Sequence, residues 1–420
     1  MLQKALEWDA LLRERMLPYW YNTTVNSGGG YKVYDPGERS WRAQIRSMIS
    51  GRNDRGPKES MRGVISQSRL LWVFSHAHLL GYSTPQHDYL KRAAHGYSYL
   101  IETMFDREYG GVYWKADVNR GVIEPLKILY GQSMAIYALV EYHRASGLSE
   151  PLDFACSIYE TVEQRFHDDV HGGWIEHCDR DFTPLTCTGE RLPNVPDIVG
   201  FKSGDAHLHL MEALTQLYSE VKDASVRDSL TEAIELLCTK FYPPNVSETC
   251  EYRLTDWKPV ANDELSNLSH GHMVEFAWLL LHAQQALGTP RDWDHFETLV
   301  RHSVSYGFDH ERGGFYFRGK PHEPACDTTK FWWVQAEGLS ALTDAAARSG
   351  EYKEPLAKLV DWILNHQIRS EDGVWFVSTD AAARPLNVKK AGEWKAAYHE
   401  VRAITKFVQT FAPKSQYARC

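Results

Sequence analysis

Apolar residues recur along most of the chain at the three-to-four-residue spacing of a helix face, and two kinds of stretch alternate. In SVRDSLTEAIELLCTKF, Val226, Leu230, Ala233, Ile234, Leu237 and Phe241 share one face while Arg227, Asp228, Glu232 and Glu235 lie opposite, which predicts an amphipathic helix with one wet side. YKEPLAKLVDWILNH does the same through Leu356, Leu359, Val360, Ile363 and Leu364. LKILYGQSMAIYALVEY, from Leu126, is apolar almost all round, as a helix covered on both sides must be. The alternation predicts twelve helices, outer and inner by turns. They begin near Gln3, Glu59, Gln86, Leu126, Glu150, Lys202, Ser225, His270, Asp292, Lys330, Tyr352 and Trp394, each to within about one turn.

A turn rich in glycine and aromatics punctuates this pattern: SGGGYKVYDPGE from Ser27, REYGGVYWKADVNRG from Arg107, DVHGGWIEHCDRD from Asp169, ERGGFYFRGK from Glu311 and SEDGVWFVSTD from Ser370. Glycine supplies open backbone angles, the alternating aromatics supply strand propensity, and Asp, Asn or Gly closes the turn, so each reads as a short hairpin. A sixth member without glycine, ETCEYRLTDWKPV from Glu248, sits where the spacing demands one. Six helix pairs with a hairpin before every second helix predict an all-α toroid, an (α/α)6 barrel that takes residues 1–420 as one domain. The even-numbered helices are the inner ones and the hairpins share one face, where the chemistry belongs.

Composition narrows the partners. Apolar residues at 43% and charged residues at 24% fit a folded core. A net charge of −9 with no basic run gives neither nucleic acid nor an anionic membrane surface a reason to bind, and no apolar run reaches the roughly 18 residues of a membrane helix. The 14 Trp and 22 Tyr suit the faces of a sugar as well as a core, so a small polar ligand fits best. Seven cysteines (Cys156, Cys178, Cys187, Cys238, Cys250, Cys326 and Cys420) show no CxxC spacing, and no secretory apolar segment follows Met1. A reducing cytoplasm is the expected setting, where the N-x-S/T matches at Asn22, Asn245 and Asn267 carry nothing. Nothing in the pattern asks for more than a monomer or homodimer.

On the inner helices the polar residues stand out: Arg69 in ISQSRLLW, Tyr130 in LYGQ, then GDAHLHLMEA, SHGHMVEFAW, KFWWVQAEG and WKAAYHEVRA. A buried polar group must be paired or wet, and a water-filled central funnel accommodates all of these together. Asp205 and His209 are four apart, His209 and Glu212 three, His272 and Glu275 three, and Trp333 and Glu337 four, so each pair shares a helix face. An imidazole, with an ordinary pKa of about 6.5, both takes and gives a proton near neutral pH, and a carboxylate partner sets its tautomer. The bland alternative is a core histidine satisfied by a backbone carbonyl, which explains one such residue more easily than His209, His272 and His399 on three inner helices. The HxH pairs (His76 with His78, His207 with His209, His270 with His272) cannot chelate one ion locally, because i and i+2 point about 200° apart on a helix. No metal is expected. Neither GxGxxG, nor a P-loop, nor GxSxG in a strand-turn-helix setting is present, so no cofactor and no serine nucleophile are expected either.

At these residues the chain resembles the N-acylglucosamine 2-epimerase family, and within it the cellobiose or mannobiose 2-epimerases. KILYGQSMAIYALVEY from Lys127, DAHLHLMEA from Asp205, GHMVEFAWLL from Gly271, DTTKFWWVQAE from Asp327 and EWKAAYHEVRA from Glu393 look like that family's signatures, in their order and across most of the chain. The resemblance implies an (α/α)6 barrel in which His272 and His399 are the acid/base pair, His209 assists ring opening, Arg69 polarises the substrate oxygens and Glu275 orients His272. It implies substrate contacts from Tyr130, Trp278, Trp333, Glu337 and Trp394, and from Asp205, where those epimerases usually carry Asn. The stretch from Thr186 to Asp197 has no close counterpart.

The C2 hydrogen of an open-chain aldose is acidic only because the C1 carbonyl can receive charge as an enediolate, so a base, an acid and a cationic oxygen clamp are needed. Two histidines and Arg69 fill those roles. Bases on opposite faces invert C2, whereas one base carrying the proton from C2 to C1 gives the ketose, so a sugar 2-epimerase and an aldose-ketose isomerase of the mannose isomerase type both stand open. A glycoside hydrolase on the same toroid, with carboxyls drawn from Asp205, Glu275 and Glu337, leaves the three histidines idle. A binding toroid keeps the tryptophans without needing the histidines.

Overall fold

The computed structural model describes residues 1–25, 28–33, 59–186, 198–262 and 265–412. Among the described residues twelve helical rods follow in chain order: α1 (Leu2–Leu11, prolonged through Leu12–Met16 and Leu17–Thr23), α2 (Val64–Leu79), α3 (Tyr89–Tyr99), α4 (Leu129–Ser146), α5 (Glu150–Arg165), α6 (Gly204–Val221), α7 (Ala224–Leu236), α8 (His270–Leu287), α9 (Trp293–Gly307), α10 (Trp332–Arg348), α11 (Lys353–Trp362) and α12 (Tyr398–Phe411). The even-numbered helices touch in ring order and α12 closes back on α2, which makes the barrel wall. Outside it lie α3 on α2, α5 on α4, α7 on α6, α9 on α8, α11 on α10 and α1 on α12. The (α/α)6 expectation holds, and burial says why: α4 buries every side chain from Leu129 to Tyr142. On α7 and its last turn, Val226, Leu230, Ala233, Leu237 and Phe241 face the wall and Ile234 packs at its edge. Full burial of one Leu or Phe is worth about 1.5–3 kcal/mol, so each outer helix is held by its stripe.

Several inner helices start later than the apolar pattern predicts, α2 at Val64 instead of near Glu59 and α12 at Tyr398 instead of near Trp394. A strand comes first in five cases. β1 (Met61–Gly63), β4 (Lys127–Ile128), β6 (Phe201–Ser203), β8 (Leu268–Ser269) and β10 (Lys330–Phe331) lead straight into α2, α4, α6, α8 and α10. Each pairs antiparallel with a strand that follows the next outer helix: β2 (Lys115–Asp117), β5 (His177–Cys178), β7 (Tyr252–Leu254), β9 (Arg318–Gly319) and β11 (Ser378–Thr379). β3 (Gly121–Glu124) and β12 (Pro385–Asn387) add a third strand to the first and last sheets. The glycine-aromatic turns therefore ladder onto the mouth of the preceding inner helix, and the member without glycine takes its place in the series as β7. The turn from Ser27 runs into residues outside the described ones, although Val25 still bridges Tyr31. Thr186 is described, but the rest of the stretch to Asp197 lies outside, as do Cys187 and Cys420.

The glycines answer to a side-chain clamp. Gln132 of α4 accepts the Val112 N–H (2.7 Å) and donates to the Val112 carbonyl (2.8 Å). Gln67 and Gln335 hold Tyr31 and Phe315 in the same way, and His207 accepts the Trp174 N–H at 3.3 Å. A Cβ on Gly111 would fall 2.7 Å from the Gln132 oxygen, and its φ of +65° is left-handed, so glycine is required on both counts. His207 is thus a structural residue, which settles one member of the HxH pairs. No helix among the described residues is long and apolar enough to cross a membrane.

Candidate active site

The strand-to-helix junctions aim the inner helices' first turns at one mouth of the barrel. At α6, the Ser203 hydroxyl caps the Ala206 N–H (3.1 Å) and donates to Glu176 (2.9 Å), fixing the turn that carries Asp205 and His209. At α8, the Ser269 hydroxyl accepts the His272 N–H (3.2 Å). Glu251, just before β7, accepts the Ser269 N–H with one oxygen (2.8 Å) and holds His272 Nδ1 with the other (2.6 Å). The family resemblance implied that role for Glu275. The correction has a physical reason: Glu275, one turn deeper, is taken by Arg402 Nη2 at 3.0 Å, whereas Glu251 sits at the mouth beside the ring.

Three imidazoles each carry a carboxylate on Nδ1: His209 on Glu212 (3.0 Å), His272 on Glu251 (2.6 Å) and His399 on Glu337 (2.6 Å). Their surroundings differ. Asp205 Oδ1 lies 3.3 Å from His209 Nε2 and 3.7 Å from His272 Nε2. Burial pulls His209 down, but Asp205 and Glu212 outweigh it and hold the ring up at about 10. Burial likewise opposes Glu251 and Asp205 at His272, which is held at about 9. His399 goes the other way: burial, with Arg69 adding to it, overrides Glu337 and brings it to about 4. A neutral ring beside a carboxylate donates its Nδ1–H, which leaves Nε2 of His399 as a lone-pair acceptor.

Beneath them lies a buried cation. Arg402, three residues after His399, bonds Glu212, Glu275 (3.0 Å) and Glu337 (2.8 Å), and its guanidinium faces the Trp278 ring at 4.7 Å. Tyr398 donates to the same Glu212 oxygen. Burial raises Glu275, with the neighbouring Glu337 charge adding to it, while Arg402 and His399 overcome burial at Glu337 and lower it. Ligand atoms of Glu275, Glu337 and His399 lie within 4.8 Å of one another, a spacing that could hold a metal, but Arg402 already supplies the positive charge these groups need. Across the funnel, Arg69 donates to the Tyr130 hydroxyl (2.9 Å) and to the Trp394 carbonyl, and the Tyr130 ring edges onto His209 at 4.6 Å.

The structure therefore brings together His209, His272, His399, Arg69, Tyr130, Asp205, Glu275 and Glu337. Trp333 lies over His272 (4.9 Å between rings) and Trp394 beside Tyr130 (5.7 Å), both partly exposed. Trp278 does not reach the opening: it is 3% exposed and donates to Glu337 (3.0 Å) below the site. Sequence reasoning missed Glu251 and the part played by Arg402. The repeat offered a signal for Glu251, since Glu176 holds the same place before β5 and bonds Ser203 at the start of α6. Carboxyls Glu275 and Glu337 are occupied by Arg402, Trp278 and His399 and do not face outward as a hydrolase pair would.

A family model described as N-acylglucosamine 2-epimerase (GlcNAc 2-epimerase) matches residues 52–403. A cellobiose 2-epimerase of Bacteroides fragilis is 28% identical over 94% of this chain and 96% of its own length. A D-mannose isomerase of Marinomonas mediterranea is 23% identical over 94% and 95%. Among solved structures, the cellobiose 2-epimerase of Spirochaeta thermophila superposes with a TM-score of 0.81 at 27% identity, covering 97% of this chain and 96% of that one.

Proposed function

Because the chain belongs to the N-acylglucosamine 2-epimerase family, we propose that it is a sugar 2-epimerase acting on the reducing-end aldose of a β-linked disaccharide such as cellobiose or mannobiose. The observation that carries this reading is the pair of imidazoles on different walls of one funnel in unlike settings, His272 between Glu251 and Asp205 and His399 on Glu337 beside two arginines, which hold the first ring up and the second down. His209, bearing carboxylates on both nitrogens, delivers a proton for ring opening. His399 Nε2 takes the C2 hydrogen, the electron pair moves onto the C1 carbonyl, and His272 returns a proton to C2 from the other face. Arg69, held on Tyr130 and Trp394, stabilises the enediolate oxygens, and Trp333 and Trp394 offer faces to the sugar rings. The likeness to a D-mannose isomerase supports a second reading, in which C1 is reprotonated instead and a ketose leaves. We place the enzyme in a reducing cytoplasm, since its five described thiols are unpaired.

The test is a panel of cellobiose, mannobiose, glucose, mannose and N-acetylglucosamine, followed by NMR in D2O. Conversion of a disaccharide to its C2 epimer with deuterium at C2 is expected, without metal or nucleotide and after exhaustive chelation. A ketose as sole product selects the second reading, and release of monosaccharide from the disaccharides overturns both.

A further inference from the structure

The two histidines of the proposed reaction differ in charge, and one residue stands where that difference is made. Asp205 lies in the first turn of α6, its side chain 21% exposed, with Oδ1 between His209 Nε2 (3.3 Å) and His272 Nε2 (3.7 Å). The far nitrogen of each ring already meets a carboxylate, Glu212 at 3.0 Å and Glu251 at 2.6 Å. Two carboxylates thus flank each ring, one hydrogen-bonded to Nδ1 and Asp205 within 4 Å of Nε2, and negative charge on both sides favours the protonated, cationic imidazole. A side-chain amide in that place carries no charge and imposes no such state.

Resting on the reading above, we propose that Asp205 is the positioning residue that holds His272 as the charged proton donor, leaving His399 as the group that takes the proton from C2. The charges around each ring agree. His272 is faced by Asp205 from α6, by Glu251 from the segment before β7 and by Glu275 from its own helix, and Trp333 of α10 covers it. His209 is faced by Asp205 and Glu212 from α6 and by Glu275 from α8. His399 is faced by Glu337 of α10, with Glu275 of α8 within 4.8 Å, against Arg69 of α2 and Arg402 of α12. Arg69 also acts on Asp205 and helps keep that carboxylate ionised.

In the step itself the C2–H bond breaks, the proton bonds to His399 Nε2 and the electron pair forms the enediolate. The His272 Nε2–H bond then breaks as a new C2–H bond forms on the opposite face. His399 is left charged and His272 neutral, and water takes one proton from the first and gives one to the second to restore the resting state. Forward and reverse reactions need the same single proton on the pair, so both directions share one bell-shaped pH profile. Its acid limb belongs to His399, at about 4, and its alkaline limb to His272, at about 9. Removing the Asp205 charge lowers His272 and moves the alkaline limb toward neutrality, while the acid limb stays.

The experiment compares the full chain with Asp205→Asn and Asp205→Glu. Imidazole nitrogens are followed by 15N NMR against pH, with His272→Asn to assign the His272 signal, and kcat/KM is measured over the same range. Both His272 nitrogens should be protonated at pH 7.5 in the parent and should titrate at least one pH unit lower in Asp205→Asn, a loss of at least tenfold in kcat/KM at pH 9 relative to pH 7. Asp205→Glu should restore most of the shift. A neutral His272 in the parent at pH 7.5 overturns the proposal, as does an Asp205→Asn profile that falls uniformly with its limb unmoved, the mark of a plain substrate contact. If no sugar in the panel turns over, the proposed function fails, and the NMR titration still decides the role of Asp205.

Discussion

Two walls of the funnel carry the same unit, an imidazole on a buried carboxylate, and give it opposite character. On the α6 and α8 wall, His209 and His272 share Asp205 and are held at about 10 and 9. On the α10, α12 and α2 wall, His399 has an equally close carboxylate, yet burial, reinforced by the arginines, outweighs it and leaves the ring at about 4. The first carboxylate is therefore not what separates donor from acceptor. Beyond the Nδ1 partner, the next charge decides: Asp205 on one side, Arg69 and Arg402 on the other. The Asp205 charge thus acts on His272 without touching the ring or its orienting partner.

The harshest way to break this comparison is to remove either ring. His272→Asn and His399→Asn should each lower kcat by about 10²- to 10⁴-fold with the circular dichroism spectrum unchanged. Near-normal kcat in either variant removes that histidine from the proton transfer.

The floor beneath the walls should respond in stability. Arg402→Met leaves Glu212, Glu275 and Glu337 buried without their shared cation, and breaking a buried ionic group in this way costs about 3–5 kcal/mol. Urea unfolding should show the loss, and Glu212→Gln added to Arg402→Met should recover part of it by removing one orphaned charge. An unchanged midpoint in the single variant means the cluster is not held by Arg402.

Exchanging the orienting carboxylates sharpens the contrast because the two variants act at opposite ends of the pH profile. Glu251→Gln removes a charge that raises His272, so its pKa falls and the alkaline limb moves to lower pH. Glu337→Gln removes the hydrogen-bonded charge that raises His399, so its pKa falls further and the acid limb moves still lower, away from neutrality. At pH 7 the second variant should show only a loss of ring orientation, about tenfold or less in kcat. Profiles of kcat/KM that shift at the same end in both variants contradict the assignment of donor and acceptor.

Much of this geometry was legible in the chain. Helix count and the inner-outer alternation follow from periodicity, and α7 and α11 bury the stripes expected of them. Helix starts were less legible, because β1, β4 and β10 are only two or three residues long, too short to show an alternation of their own, and only cross-strand pairing to a segment one helix pair later separates them from the helices they precede. Within the site, His209 and Glu212 were readable as a pair three apart on one helix, a local relation. Glu251 had no such local signal, only its place in the repeat matching Glu176, since it meets His272 from a hairpin 21 positions earlier. Arg402 was equally hidden: one arginine near a helix end reads as a surface residue until three carboxylates from three other inner helices are seen to converge on it.

The smallest expected effect asks which wall holds the second sugar ring. Trp333 lies over His272 at 4.9 Å, with one face committed to that imidazole, while Trp394 belongs to the arginine side through its carbonyl on Arg69 and its edge contact with Tyr130. Both are partly exposed, whereas Trp278 is buried at 3%, so only the first two can stack on a ligand. Stacking of this kind is worth about 0.5–1.5 kcal/mol, or roughly two- to twelvefold in KM. Replacing the tryptophan that carries the second ring by alanine should raise KM for a disaccharide by that factor and leave KM for the corresponding monosaccharide unchanged. Replacing the one against the reacting ring should raise both KM values together. Because Trp333 sits on the proton donor, we expect Trp333→Ala to fall in the second class and Trp394→Ala in the first. If both variants raise the two KM values equally, neither ring marks a separate subsite, and the preference for a disaccharide must come from elsewhere on the mouth of the barrel.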